Sequence, residues 1–335
     1  MSLLPGTRAL DNAMNYHRRK VVALLTGAAV APALPNIALA LDYPTRPVRL
    51  MVGFAPGGIP DLVARLVGQW MSARLNQPFV VENHLGAASN LALEDVARAV
   101  PDGYTLFEVS LANAINASLY QGVNVQSGIA PIAGIARAPF VFVVNPASGA
   151  QTVPDLIAAA KARPGKLNFG CTATGTPPYM TVSLFKSMAK IDFVQVPYRN
   201  SVQAVEELLG GRLDAAVSDM SVVDSVKAHK LHALAVTTAA REKTIPDVPS
   251  MAEFLPGYDA SSWYGLGAAK ATPPDIIGKL SAAVDAALSD PEHAAHLAKL
   301  GLTVDRLSPA EFGKFIGAET KKWSEVIAAA NIKPQ

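Results

Sequence analysis

Cysteine is almost missing from this chain: one thiol, Cys171, in 335 residues excludes an internal disulfide and leaves stability to a packed core. A bilayer-spanning stretch is missing too, because the apolar run Val21 to Val30 falls short of the about 20 apolar residues that a span needs. Phosphate-loop chemistry is excluded, since Gly170-Cys171-Thr172-Ala173-Thr174-Gly175 lacks the Lys-Ser/Thr that would follow. Gly265-Leu266-Gly267 likewise lacks the third glycine of a dinucleotide fingerprint. His229 with His232 and His293 with His296 have helical-face spacing, but neither is an HExxH pair and no Cys cluster accompanies them. They are expected on solvated helix surface, with no metal. The absence of a GxSxG elbow argues against a hydrolase.

Charge of one sign is also lacking. The excess of 29 Lys+Arg over 27 Asp+Glu is carried by the first forty residues, where Arg8, Arg18, Arg19 and Lys20 face a single acid, Asp11. The remainder is close to neutral, which gives no support to nucleic-acid binding.

Those forty residues have the three parts of an export signal: Arg18-Arg19-Lys20, the apolar run, and the small residues Ala38-Leu39-Ala40 at a cleavage-like site. The paired arginines resemble a twin-arginine signal, and an ordinary secretory route stays open. Met14 stands just before the run, so residues 1–13 are a candidate over-extended gene start.

From Pro47 onward, short β-branched runs alternate with helical periodicity, the signature of α/β units around largely parallel sheets. Val48 to Val52 reads as a buried strand, and Asp61 to Leu75 as a helix with apolar residues at 62, 63, 66, 67, 70 and 71 on one stripe. Phe79-Val80-Val81, Thr105 to Ser110 and Phe140 to Val144 read as strands, with a helix over Asn90 to Val100. A second set begins with helix Val153 to Lys161 and strand Leu167 to Gly170, then helix Tyr179 to Met188. It continues through strands at Phe193, Asp214 and His232. Ser262 to Ala268 returns to the first set, followed by helices Pro274 to Leu288, Pro291 to Leu300 and Pro309 to Ala329, each with Pro at its start. Two crossings predict two discontinuous lobes, 43–142 with 255–335 and 143–254, and a cleft between them.

Each predicted lobe contains a strand, a Gly/Pro/Thr-rich loop and a helix start: Phe54 to Asp61, and Cys171 to Tyr179. Such loops lie at strand carboxyl ends, where α/β proteins bind ligands. A helix start offers free N–H groups and partial positive charge to an anion. Two of them across a hinge would clamp a carboxylate without an arginine, although most such loops are only turns.

Tyr43-Pro44, Phe54-Ala55-Pro56-Gly57-Gly58 with Asp61, Val81-Glu82-Asn83, Pro101-Asp102-Gly103-Tyr104 and Gly175-Thr176-Pro177-Pro178 occur in this order. Val196-Pro197-Tyr198, Leu208-Leu209-Gly210-Gly211, Pro246-Asp247-Val248-Pro249 and Trp263-Tyr264-Gly265 follow. In this series the chain resembles the Bug (TctC-like) family of periplasmic binding proteins across essentially all of the sequence after the leader. The resemblance implies a two-lobed type II periplasmic binding protein fold, no cofactor and no catalysis. It also implies a periplasmic monomer that serves as receptor for a tripartite tricarboxylate transporter, or as an orphan receptor, and takes a small organic acid or amino acid.

By the same resemblance, Phe54, Ala55, Gly57, Gly58 and Asp61 line one side of the site and Thr172, Thr174, Gly175 and Thr176 the other, with Asn90 and Asp219 facing the cleft. Asp61 equally suits the first turn of its own helix, Asn90 a helix cap, and Asp219 a turn or cap. Three departures stand out: Ile59-Pro60 after the glycine pair, Ala88-Ser89 before Asn90, and Cys171-Thr172. The bulk of Ile59 implies a ligand smaller or more apolar than citrate. The competing class is an exported α/β enzyme using Cys171 or Asp219, and a signalling receptor is a third.

Overall fold

The computed structural model describes residues 43–122 and 124–332; the export signal and cleavage-like site expected from the sequence lie outside them. Strand β1 (Val48–Val52) leads into helix α1 (Ile59–Leu75), β2 (Phe79–Asn83), α2 (Asn90–Arg98), β3 (Thr105–Ser110) and α3 (Leu111–Leu119). Then come α4 (Val125–Gly128) and a long strand, β4 (Ile129–Val144). A second group follows: α5 (Val153–Ala162), β5 (Asn168–Thr172), α6 (Pro177–Ala189), β6 (Val194–Tyr198), α7 (Ser201–Leu209), β7 (Ala215–Asp219), α8 (Val223–Lys227) and β8 (His232–Val236). The chain closes with β9 (Ser261–Ala269), α9 (Pro274–Leu288), α10 (Pro291–Lys299), β10 (Thr303–Leu307) and α11 (Pro309–Ala329).

The strands run in the order β2-β1-β3-β9-β4-β7-β5-β6, with β8 and β10 also on β4. β1 pairs in parallel with β2 and β3, and β5 with β6 and β7, as expected of α/β units. The join between these two parallel groups is antiparallel: β9 lies between β3 and β4, and β4 meets β7 and β8. The sheet is therefore mixed, and the expectation of largely parallel sheets is corrected at its centre. β4 is also longer than the sequence reading, which began it at Phe140 and missed Ile129 to Pro139. Its Ala, Gly and Pro content hides the alternation that marks a strand.

β4 changes partners midway. Residues up to Pro139 pair with β9, and from Phe140 onward the same strand pairs with Asp219 and its neighbours on β7. The two halves consequently share one continuous backbone at this point, and the changeover falls between Pro139 and Phe140.

A charged network surrounds that changeover. Arg137 donates through Nε to Asp305 at 2.5 Å and through Nη1 to Asp259 at 3.4 Å. Lys322 on α11 donates to the Asp259 carbonyl at 2.8 Å and pairs with Glu319. One buried oxygen of Glu319 accepts from both Trp263 and Trp323, each at 3.0 Å. The residues flanking the return to the first half are thus tied to α11 by charge-assisted bonds, which are stronger than neutral ones.

The histidines depart from expectation. His293 stacks on Trp70 with ring centroids 4.2 Å apart, and His232 bonds the Gln151 carbonyl at 2.7 Å, so both rings are engaged by the protein. Among the described residues, no group of three or more His, Cys, Asp or Glu is placed to hold a metal ion.

Replacing Glu319 with Ala removes the acceptor of two buried indole N–H groups and the partner of Lys322. Urea unfolding is expected to show a loss of about 2–5 kcal/mol; a loss below about 0.5 kcal/mol, the range of a neutral surface substitution, would mean that the indoles had found other acceptors.

Candidate functional site

At the end of β1 the chain must leave the sheet, and Gly53 does so against Ser89. A methyl group on Gly53 would stand 2.0 Å from Ser89 Oγ, so only glycine fits there. The turn continues through Gly57 at φ +83°, a conformation that favours glycine. Pro60 then starts α1 in the first turn, where its missing N–H costs no helical bond.

Asp61 holds this loop. It is buried, and four donors saturate its carboxylate: Gly57 N at 2.9 Å, Arg65 Nε and Nη2 at 2.9 Å each, and Asn83 Nδ2 at 2.8 Å. Burial alone would raise its pKa, but the bonds from Arg65, Gly57 and Asn83 outweigh burial and hold the carboxyl below its ordinary value. Asn83 also donates to the Phe54 carbonyl at 2.9 Å, so the end of β2 pins the beginning of the loop. Phe54 is half-buried against the core, while Ala55, Gly57 and Gly58 are exposed.

The amides of Gly57 and Gly58 are consumed inside the loop, the first by Asp61 and the second by the Ala55 carbonyl at 3.3 Å. Those of Ile59 and Asp61 find no acceptor among the described residues. The donors available on this side are therefore one turn further along than the glycine pair that marks the loop in the sequence.

A neighbouring loop closes against it. Ala87, Ala88 and Ser89 take positive φ values of 44°, 49° and 84° in succession. Asn116 on α3 secures them, donating to the Ala88 carbonyl at 2.7 Å and to Asn90 Oδ1 at 3.1 Å. Asn113 reaches Ser89 Oγ at 3.4 Å. Asn90 is thus held by α3, with Ser89 and not Asn90 in the cap position of α2. Sequence reasoning missed Asn83, Asn113 and Asn116; the signal was present in asparagines standing just after a strand or in the first turns of a helix.

The second loop has the same plan. Gly175 adopts φ +81°, and Pro177-Pro178 begin α6. Thr176 donates its hydroxyl proton to the Ala173 carbonyl at 2.5 Å, which leaves Thr172, 2.6 Å away, as the donor between the two hydroxyls. A hydroxyl has one proton, so neither retains one for a guest. Thr174 is exposed and bonds Tyr179. The amides of Thr174, Gly175 and Tyr179 find no acceptor among the described residues.

Both loops have α3 as a neighbour. A methyl group on Gly175 would stand 3.3 Å from Leu119 Cδ1, and α3 in turn holds Asn90 and Ser89, which back Gly53. A continuous run of contacts therefore joins the Cys171 to Thr176 loop to the Phe54 to Asp61 loop at the carboxyl ends of β5 and β1. Asp219 is exposed at the end of β7, opposite Phe140, and accepts from Ser221 N at 3.0 Å as the cap of a short 3-10 turn. Cys171 is buried, and burial pushes its thiol up to about 12, so almost no thiolate exists at neutral pH.

A separate groove of about 610 Å³ runs between α1 and α10, lined by Leu62, Leu66, Phe79, His296 and Leu300 among others. None of its lining comes from either loop, and its walls offer no helix start. The strand-end loops therefore remain the better candidate.

The sequence model of the tripartite tricarboxylate transporter family receptor matches residues 63–332. Protein BugT of Bordetella pertussis is 32% identical over 297 residues, 87% of this chain and 91% of BugT. An R. palustris protein solved with adipate superposes with a TM-score of 0.71 at 31% identity, covering 88% of this chain and 100% of the other. MatC from Rhodopseudomonas palustris with bound malate gives 0.69 at 29% identity, over 85% and 100% of the two chains.

The Asp61 clamp sets a pH dependence. Its folded pKa is depressed, so its contribution is present above the unfolded value and is lost as pH falls through the folded one. Asp61→Asn is expected to cost about 1–3 kcal/mol near neutrality, and the gap from wild type should shrink on acidification. A gap that is constant with pH in chemical unfolding would show that the charge of Asp61 contributes nothing.

Proposed function

The chain belongs to the tripartite tricarboxylate transporter receptor family, and from that premise we propose that it is a periplasmic receptor that closes on a small carboxylate. The guest is held by backbone amides, those of Ile59 and Asp61 on one side and of Thr174, Gly175 and Tyr179 on the other. Closure pivots where β4 changes partners at Pro139–Phe140 and where the chain returns ahead of β9. The closed form is what the transporter's membrane subunits recognise.

One observation carries this reading: two strand–loop–helix units of the same design leave amides without acceptors, while the Asp61 carboxylate and the Thr172 and Thr176 hydroxyls are committed within their own loops. Such a site suits an acceptor-only guest, and a carboxylate is that guest. Adipate and malate in the two solved relatives share the carboxylate and differ in length and hydroxylation, which supports a dicarboxylate class. The bulk of Ile59 beside the first loop favours a short or apolar chain between the carboxylates. Among the described residues, no helix is long and apolar enough to cross a membrane.

The reading is of a receptor without catalysis. The competing nucleophile, Cys171, is buried with its thiol held protonated, and Asp219 is engaged as a cap. Neither is accompanied by a base in the contacts described above.

Adipate and malate are expected to raise the melting temperature, corresponding to about 2.7 kcal/mol when free ligand is 100 times its dissociation constant. Gly175→Val, which crowds Leu119 and forces a branched residue to positive φ, should weaken that binding at least about tenfold, or 1.4 kcal/mol. Mass spectrometry of the recovered ligand should find it unchanged. Chemical turnover would overturn the receptor reading, and no response to any organic acid would overturn the carboxylate.

A further inference from the structure

β3 carries a group that neither the loops nor the core explains. Glu108 is wholly buried, and neither of its carboxyl oxygens has a hydrogen-bond partner. It pairs with Leu266 on β9, and Ser110 pairs with Tyr264, so Glu108 and Tyr264 lie on one face of the sheet. The parallel register that sets Met51 beside Phe107 brings Glu108 level with Val52, the last residue of β1. Its carboxyl therefore stands in the layer from which the Phe54 to Asp61 loop departs.

The surroundings offer it no counter-charge. From α9, Ile276, Leu280 and Val284 face this core, and from β4, Ile132, Ala133, Ile135 and Ala136. From α1, Val63, Ala64 and Val67 face the same core, while the charged Asp61 and Arg65 are closed on each other; from β1, Arg49 is paired with Glu82 on an exposed surface. Tyr264 on β9 is bonded to Ser262, and the charge of Asp219 on β7 also reaches its ring hydroxyl. Tyr264 thus stands between a buried carboxyl on one half and an exposed carboxylate on the other. Burial is the one cause acting on Glu108, and it pushes the carboxyl up to about 8.

We propose that Glu108 is a neutral carboxylic acid built into the floor beneath the first loop, and that the cleft binds its anionic guest only while Glu108 keeps its proton. Ionising Glu108 would place an uncompensated, desolvated charge beside Val52, at the strand end from which the first loop departs, where it opposes an incoming carboxylate. Binding and protonation are then linked: the guest raises the proton affinity of Glu108, and the proton raises the affinity for the guest. The coupling rests on the carboxylate reading of the cleft, whereas the proton on Glu108 does not.

Two measurements on the protein without its leader, and on Glu108→Gln and Glu108→Leu, separate these claims. Infrared difference spectra of wild type against Glu108→Gln should show an un-ionised carboxyl stretch below pH 8 that disappears above it. Because the folded value lies above the ordinary 4.5, wild type should also lose stability relative to both variants as pH rises between these values. Adipate affinity of wild type should fall about tenfold per pH unit above the titration, with uptake of a proton seen as buffer-dependent heat in calorimetry, while Glu108→Gln stays flat. A carboxyl band missing at pH 6, or a Glu108→Gln profile that falls like wild type, would overturn the proposal. Failure of adipate to bind either protein at any pH would instead overturn the dicarboxylate reading and remove the coupling with it, the infrared band still deciding where the proton is.

Discussion

A single strand belonging to both halves of the sheet is the constraint on which the rest depends. β4 spends its first part against β9 and its last part against β7 and β8. Any relative motion of the halves must be absorbed at the changeover, since breaking ladder bonds elsewhere would leave backbone groups unpaired. The Arg137, Asp259, Lys322 and Glu319 network holds the neighbouring segments on the first half. In the proposed closure, bending is concentrated at Pro139–Phe140 and in the chain ahead of Ser261, with one strand-end loop on either side.

Rigidity within each loop has a chemical consequence. Asp61 consumes the Gly57 amide, Arg65 and Asn83; Thr172 donates to Thr176, and Thr176 to the Ala173 carbonyl. These side chains are committed to holding the backbone, which is why the proposed recognition falls to the amides left over at the helix starts. Preorganised dipoles of this kind gain affinity because little further ordering is needed on binding. In the proposed site the amides read the carboxylate and the bulk of Ile59 beside them limits the remainder of the guest.

Most of the elements were legible because their periodicities are clean and their ends are punctuated. Pro274 to Leu288 and Pro309 to Ala329 match the helices residue for residue, each with Pro near its start. β10 and α3 were not anticipated. Thr303–Leu307 has the polar, half-exposed pattern of an edge strand, and Leu111–Leu119 contains two asparagines that depress helix propensity but serve here to tie down Ser89 and Asn90. At the site, the glycines and prolines announced both loops. What they could not announce is which amides remain free, because that depends on where the carboxylate of Asp61 and the carbonyls of Ala55 and Ala173 point. Glu108 was invisible for a similar reason: in the run Thr105 to Ser110 it reads as an ordinary polar residue, and only the pairing of β3 between β1 and β9 buries it.

Backbone amides as the carboxylate's principal partners can be tested directly by following amide nitrogen and proton resonances during a titration with adipate. The account predicts that Ile59, Asp61, Thr174, Gly175 and Tyr179 show the largest downfield proton shifts, together, and gain protection from exchange. Shifts that leave these five amides unmoved and gather instead around Leu62, Leu66 and His296 would contradict it.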